Sequence, residues 1–273
     1  LNDGYIGFFL LQHGQQHRET MHMVLKQKVF RDTSAGDFEA VAMDALEPLQ
    51  PDAYVTEGEY PIGTDAVGSC DNEQPLHGTS LSACSISTRP VSNAEYLGFI
   101  INQGYERKEF WTEKGWEWKL RTAVRAPEYW ISSGAGNWFT VSPAGPVDLC
   151  AADAVSGLSW YEADAFARYA DYRLPHENEW ECAMKKACNS NDSKLWASTG
   201  SAWEWCANTF YPYPEFRAFP YQRYSTPWFD GEHFVLRGSS PYSGHTVRTP
   251  TFRNFYQPDK RYVNAGLRLA ADA

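Results

Sequence analysis

His13 and His17 stand four residues apart in His13-Gly-Gln-Gln-His17. On a helix that spacing projects both imidazoles from one face, about a turn apart. Such a pair can bind a single first-row metal, as in the zincin helix, although the general-base glutamate of that motif is absent here. The same spacing also occurs among ordinary surface and core histidines, so the pair alone leaves both readings open. A metal would need a third ligand. His22 lies five residues beyond His17 and points elsewhere, so that ligand must come from far along the chain or from a segment outside it. Leu10, Met21, Val24 and Leu25 are positioned to form an apolar stripe beside the histidines.

The cysteines are Cys70, Cys84, Cys150, Cys182, Cys188 and Cys206, with no CxxC pair among them. A chain this long does not depend on a disulfide framework, and a reducing cytoplasm is the simpler setting.

The elements that must carry these residues are few. A helix is expected through the histidine segment, then a linker from Lys28 to Asp52 that includes a short helix, with a boundary between Leu49 and Tyr54. Tyr60 to Asp65 and Leu81 to Thr88 read as short strands between turns. Asn93 to Ile101 reads as a helix capped by Ser92 or Asn93. A second helix follows Ser159, whose offset of three from Glu162 is a capping-box pattern, and a third spans Glu177 to Lys186. The rest is rich in Gly, Pro and aromatic residues and is expected to be loop. Trp111, Trp116, Trp118, Trp130, Trp138, Trp203, Trp205 and Trp228 are expected to pin those loops by packing. Asp71-Asn72-Glu73 is expected to form a solvated turn.

Composition excludes several partners. The 273 residues carry a formal charge of −10, without the clustered positive charge a nucleic-acid footprint requires. Mean hydropathy is −0.52 with no long apolar run, so no transmembrane helix is expected. The opening Leu-Asn-Asp-Gly-Tyr-Ile-Gly-Phe-Phe lacks a basic n-region and a small-residue cleavage site, which argues against a signal peptide. It reads as a start inside a longer helical unit.

Three stretches point to a family. Arg173-Leu-Pro-His-Glu-Asn-Glu-Trp-Glu181, Ser201-Ala-Trp-Glu-Trp205, and Val235-Leu-Arg-Gly-Ser-Ser240 with Thr251-Phe-Arg-Asn-Phe255 and Gly266-Leu-Arg-Leu-Ala270 resemble the ordered landmarks of the formylglycine-generating-enzyme-like domain. That is a C-type-lectin-related fold. Pro90 to Ile100, Gly104 to Trp111, Gly115 to Trp118, Tyr211 to Arg217, Tyr224 to Gly231 and Phe252 to Arg261 are similar, more narrowly, to ergothioneine-pathway sulfoxide synthases. Those enzymes place a DinB-like four-helix bundle ahead of the lectin-like domain, and their HxxQH helix matches His13-Gly-Gln-Gln-His17.

The resemblance implies an α+β protein. Residues 1–30 would be the last part of the bundle, 31–53 a linker, and 54–273 a lectin-like domain with few regular elements. It implies an iron-dependent oxidoreductase with mononuclear non-haem Fe(II) held by three histidines. His13 and His17 would be two of them, and the third would lie on an upstream bundle helix. Open positions on iron would accept a thiolate and the co-substrate O2. The implied reaction joins a cysteine-type sulfur, from cysteine or γ-glutamylcysteine, to the imidazole C2 of hercynine and oxidises it to the sulfoxide.

Residue by residue, Gln16 matches the glutamine that hydrogen-bonds the substrate imidazole, and Asn254 the asparagine that helps hold the hercynine carboxylate. Phe255 and Tyr256 follow, where aromatic faces suit a trimethylammonium group. Some members carry an acid at the second of these positions, so Tyr256 implies a different thiol substrate. Arg253 would either pair with a substrate carboxylate or lock its loop. Tyr224 is the expected catalytic, proton-delivering tyrosine, with Tyr221 and Tyr213 as runners-up.

Formylglycine-generating activity needs a reactive cysteine pair late in the domain, and no cysteine follows Cys206. Two alternatives remain: a related selenoneine synthase forming a C–Se bond, and a lectin-like ligand-binding module without catalysis. Retention of His13, Gln16 and His17 argues against the second.

Overall fold

The computed structural model describes residues 4–134, 136–189, 194–220 and 222–273. Helix α1 spans Tyr5–Asp32 and ends where the Thr33 hydroxyl turns back to the Val29 carbonyl at 2.7 Å. Its buried positions are Tyr5, Gln12, Glu19, Met23 and Lys26, close to a seven-residue repeat that forms one stripe along the helix. That stripe is largely polar, because what it meets is polar. Glu19 accepts the Trp203 indole N–H at 2.8 Å and the Ser243 hydroxyl at 2.7 Å, while Gln15 accepts from the Thr246 hydroxyl at 2.6 Å.

The apolar stripe does lie beside the histidines, on the face of α1 turned away from the rest of the described chain. Leu10, Met21, Val24 and Leu25 are between 49% and 66% exposed and are joined there by Ile6 and Leu11. The linker is also shorter than expected at its start. Helix α1 runs four residues past Lys28, and the expected short helix is a 3-10 turn, Ala35–Asp37, with Ser34 and Asp37 in a capping box.

The strands begin with β1 (Ala53–Val55), β2 (Gly58–Ile62), β3 (His77–Leu81) and β4 (Cys84–Ile86). Helices α2 (Asn93–Ile101) and α3 (Glu113–Thr122) precede a meander of β5 (Ile131–Gly134), β6 (Asn137–Ser142) and β7 (Gly145–Asp148). Helices α4 (Trp160–Tyr169), α5 (Glu177–Asn189) and α6 (Lys194–Ala197) lead to β8 (Ala202–Thr209) and β9 (Phe234–Ser239). The chain closes with β10 (Asn254–Tyr256), β11 (Ala265–Leu267) and β12 (Ala270–Asp272). The central sheet has the order β10-β9-β8-β11, antiparallel except for the β11–β8 pair. Around it lie the sheet β1-β4-β12, the hairpin β2-β3 and the meander. This is the α+β arrangement the sequence implies, with small sheets and long connections.

Helices α2 and α4 start where their caps require. Ser92 and Ser159 form capping boxes with Glu95 and Glu162, and the same glutamates take Arg89 and Arg261. Loop was the expectation for several tryptophans that lie on regular elements. Trp116 and Trp118 ride on α3, which Thr112 caps by accepting the Gly115 N–H. Trp138 is in β6, and Trp203 and Trp205 are in β8. Helix α3 has no continuous apolar run to signal it. Strand β8 does not alternate in polarity toward solvent, because it is buried on both faces. Glu204 lies between its tryptophans, fully buried, and is satisfied by Arg268 at 2.8 Å and the Trp180 indole at 2.6 Å.

Such ion pairs replace regular structure as the frame of the long loops. Arg237 reaches Glu177 and Glu181, and Arg253 reaches Glu177, with every one of these side chains fully buried. All six cysteines are free thiols. Among the described residues, no helix is long and apolar enough to cross a membrane.

Candidate active site

A cavity of about 500 Å³ opens between α1 and the β10 edge of the central sheet. It collects most of the residues singled out from the sequence. His13 and Gln16 enter from α1, Tyr224 from the 222–233 loop, and Arg253, Asn254, Phe255 and Tyr256 from β10 and its approach. His17 is adjacent, its ring centroid 4.4 Å from that of His13 at an interplanar angle of 76°.

The helix fixes these side chains relative to each other. Phe9, one turn before His13, stacks on its ring at 5.6 Å and meets Tyr224 edge-on at 5.3 Å. Gln16 donates from Nε2 to the Tyr224 hydroxyl at 3.3 Å. The Cys70 thiol lies 3.3 Å from the same hydroxyl and donates to Gln12 Oε1 at 3.4 Å. Burial raises the Tyr224 pKa, with the neighbouring Cys70 adding to the shift, so the phenol keeps its proton through the neutral range.

The two runner-up tyrosines are differently placed. Tyr221 lies outside the described residues. Tyr213 is away from the cavity, inside the buried ion network, where its hydroxyl accepts from Arg237 at 2.9 Å and its ring lies 4.1 Å beneath the Arg253 guanidinium.

Arg253 was expected either to meet a substrate carboxylate or to lock its loop, and the geometry favours the second. Its guanidinium donates twice to Glu177, at 2.8 and 2.7 Å, and also to the Asn72 and Tyr211 carbonyls. The next residue, Asn254, accepts the Phe255 N–H through Oδ1 at 2.9 Å, which leaves its NH2 as the remaining donor of that amide. Phe255 stacks on Phe210 at 4.2 Å and approaches Trp228 at 6.0 Å. Tyr256 meets Tyr262 edge-on, and burial raises its pKa, so it too is a neutral phenol.

The cavity also holds residues that sequence reasoning missed: Asn72, Arg223, Trp228, His233 and Lys260. Asp71-Asn72-Glu73, expected to be a solvated turn, is buried. Asp71 accepts from Ser225 and Glu73 from Thr251, partners more than 150 residues away that no local pattern announces. Asn72 donates to the Ser225 hydroxyl at 3.0 Å, while its Oδ1 is buried without a partner. That orphan acceptor is available to a bound ligand. Among the described residues no aspartate or glutamate lines the cavity, and the cations that do are Arg223, Arg253 and Lys260, the last paired with Asp259 at 3.0 Å. Aromatic faces, amide groups and the Arg223 guanidinium together suit a small ligand carrying both a carboxylate and a quaternary ammonium.

Two imidazoles in edge-to-face contact at the cavity wall fit two positions of a metal ion's ligand set. Among the described residues, no group of three or more His, Cys, Asp or Glu side chains could complete such a set.

Residues 38–192 match the family model of the sulfatase-modifying factor enzyme 1-like domain. The chain is 31% identical to the hercynine oxygenase of Mycobacterium tuberculosis, over 99% of this chain and 72% of that protein. It is 27% identical to ergothioneine biosynthesis protein 1 of Schizosaccharomyces pombe, over 73% of this chain and 27% of that protein. Among solved structures, PvdO from Pseudomonas aeruginosa shares the fold with a TM-score of 0.51 at 14% identity, over 81% of this chain and 93% of that one.

Proposed function

The chain belongs to the hercynine oxygenase family, with a sulfatase-modifying-factor-type domain, and from that premise we propose that it is an Fe(II)- and O2-dependent sulfoxide synthase. It would join a cysteine-type thiol to the imidazole C2 of hercynine. One observation carries the reading: His13 with His17 beside it, the Gln16–Tyr224 hydrogen bond and the Asn254-Phe255-Tyr256 strand meet at a single cavity, His17 at its edge.

His13 and His17 would hold the iron together with a third histidine from an upstream helix of a DinB-like bundle, of which α1 would be the last part. Bound there, iron would supply open positions for a thiolate and O2. The protein's own groups do the rest. Gln16, whose NH2 is turned to Tyr224, has its Oε1 left to accept the N–H of a substrate imidazole. The Asn254 NH2 would donate to the hercynine carboxylate, and Asn72 Oδ1 offers an acceptor on the same wall. Trp228, Phe255 and Tyr256 present faces for the trimethylammonium group. Arg223 and Lys260 are the cations placed to meet a carboxylate of the thiol donor. Tyr224 holds its proton where burial keeps it, and is the group placed to deliver it. The free thiols fit a reducing, cytoplasmic setting.

The test incubates the full-length protein with Fe(II), O2, hercynine and one donor at a time (cysteine, γ-glutamylcysteine or a selenosugar) and reads product mass. A sulfoxide from either thiol is the expected result. Product from the selenosugar alone would replace this reading with selenoneine synthesis, and no product from any donor would overturn it.

In the same assay, Tyr224→Phe is expected to lower kcat by roughly 10²-fold or more, the scale of a lost general acid, with the KM for hercynine little changed. An unchanged kcat would remove Tyr224 from the proton-delivering role.

A further inference from the structure

Further along α1, beyond the histidine pair, a second cavity of about 330 Å³ separates the helix from the β6–β7 hairpin and the segment 149–156. It shares no lining residue with the first. Two of its lining side chains are deeply buried donors, Lys26 at 6% exposure and Asn264 at 2%. The Lys26 ammonium donates to Asn264 Oδ1 at 3.1 Å and lies 4.1 Å from the centre of the Tyr129 ring. Among the described residues no carboxylate pairs with it, and burial alone lowers its pKa to about 8.

Because Lys26 fixes the Asn264 oxygen, the amide cannot be turned over without setting an NH2 against the ammonium. Asn264 Nδ2 is therefore committed as a donor, and it is buried without a partner. A buried ammonium without a counter-ion and a buried NH2 without an acceptor are both unfavourable. A single carboxylate would answer both with charge-assisted hydrogen bonds. The other charged groups lining the cavity are Asp148 and Asp153, both exposed, and Asp153 has no ion-pair partner among the described residues. A simple anion would meet repulsion there, whereas a ligand with a cationic end would not. The volume is at the small end for ligand pockets.

We propose that this cavity binds a small zwitterion of the amino-acid type, its carboxylate on Lys26 and Asn264 and its ammonium toward Asp153 and Asp148. The site is separate from the proposed catalytic cavity and does not depend on what that cavity does.

Calorimetry on the full-length protein with glycine, acetate and ethylamine as probes tests it. Glycine is expected to bind saturably, acetate about two- to fivefold more weakly for want of the second, exposed ion pair, and ethylamine not measurably. Lys26→Met removes the ammonium but leaves a void in charge that could unsettle the fold. Asn264→Asp is the cleaner variant: the new carboxylate pairs with Lys26 and takes the ligand's place. Both variants are expected to abolish glycine binding, and Asn264→Asp to do so without loss of thermal stability. Three results would overturn the proposal: no glycine binding by the unaltered protein, acetate bound as tightly as glycine, or glycine binding that persists in Asn264→Asp. The last would place the ligand in the first cavity instead.

Discussion

Replacing His17 by alanine in the full-length enzyme is expected to remove bound iron and turnover together, with a loss of activity of at least about 100-fold. Loss of a group that merely orients a metal ligand already costs about 10–100-fold in affinity or activity, and a ligand itself should cost more. The variant is informative because it leaves the fold alone. His17 is exposed, and its ring is described only in contact with that of His13. Exposed substitutions of this kind usually change stability by no more than about 0.5 kcal/mol. Metal content, thermal midpoint and product formation should therefore separate, the first and third collapsing while the second holds. His22→Ala is the matched control. That ring stacks on Tyr242 at 4.9 Å, away from the pair, and its loss should leave iron in place. Full iron content and full sulfoxide formation in His17→Ala would overturn the ligand assignment.

The sequence is informative here where chemistry is local. The i, i+4 histidines, the capping boxes at Ser92 and Ser159, and helices α2, α4 and α5 are written in neighbouring residues and form where read, α5 running three residues past Lys186 to Asn189. The family landmarks reach further, because each carries an ion pair, buried in all but the Arg173–Glu179 case. Arg173 pairs with Glu179, Glu177 and Glu181 with Arg237, and Glu204 with Arg268, so the repeated glutamate and arginine positions mark the frame of the loops. What could not be read are pairings across more than a hundred residues. Cys70 beside Tyr224, Asn72 beside Ser225 and Glu19 beneath Trp203 have no periodicity to announce them. Which face of α1 packs on the domain is not legible in the sequence for a related reason. Hydrophobic patterning finds the apolar stripe of a helix, yet α1 meets the described residues mainly through Gln12, Glu19 and Lys26, with Tyr5 and Met23 in the same stripe. Its buried polar stripe is set by the hydroxyls, the indole and the amide opposite, which only the fold brings together.

The same network makes Glu177→Gln the substitution with the largest expected effect on stability, a loss of about 3–5 kcal/mol, as for breaking a buried ion pair from one side. Burial alone would raise the pKa of Glu177, but Arg253 and then Arg237 outweigh it and hold the carboxyl at about 2. A glutamine preserves the shape and leaves both guanidiniums buried, with Glu181 as the remaining carboxylate, itself shared with Lys185 at 2.8 Å. Because the folded pKa lies below the ordinary 4.5, the contribution is fully present above about pH 4.5 and is lost as pH falls toward 2. Urea unfolding at a series of pH values should show the gap between the unaltered protein and Glu177→Gln at its widest near neutrality and closing in acid. A gap that stayed constant with pH would mean that the carboxylate's charge is not what the network uses. The effect should also reach the cavity. Arg253, released from Glu177, would no longer hold the Asn72 carbonyl or fix the start of β10, so Asn72 and Asn254 would lose their common alignment. The KM for hercynine should then rise in Glu177→Gln even at temperatures where the protein remains folded. Iron content should stay unchanged, since His13 and His17 are held by α1 and not by this network.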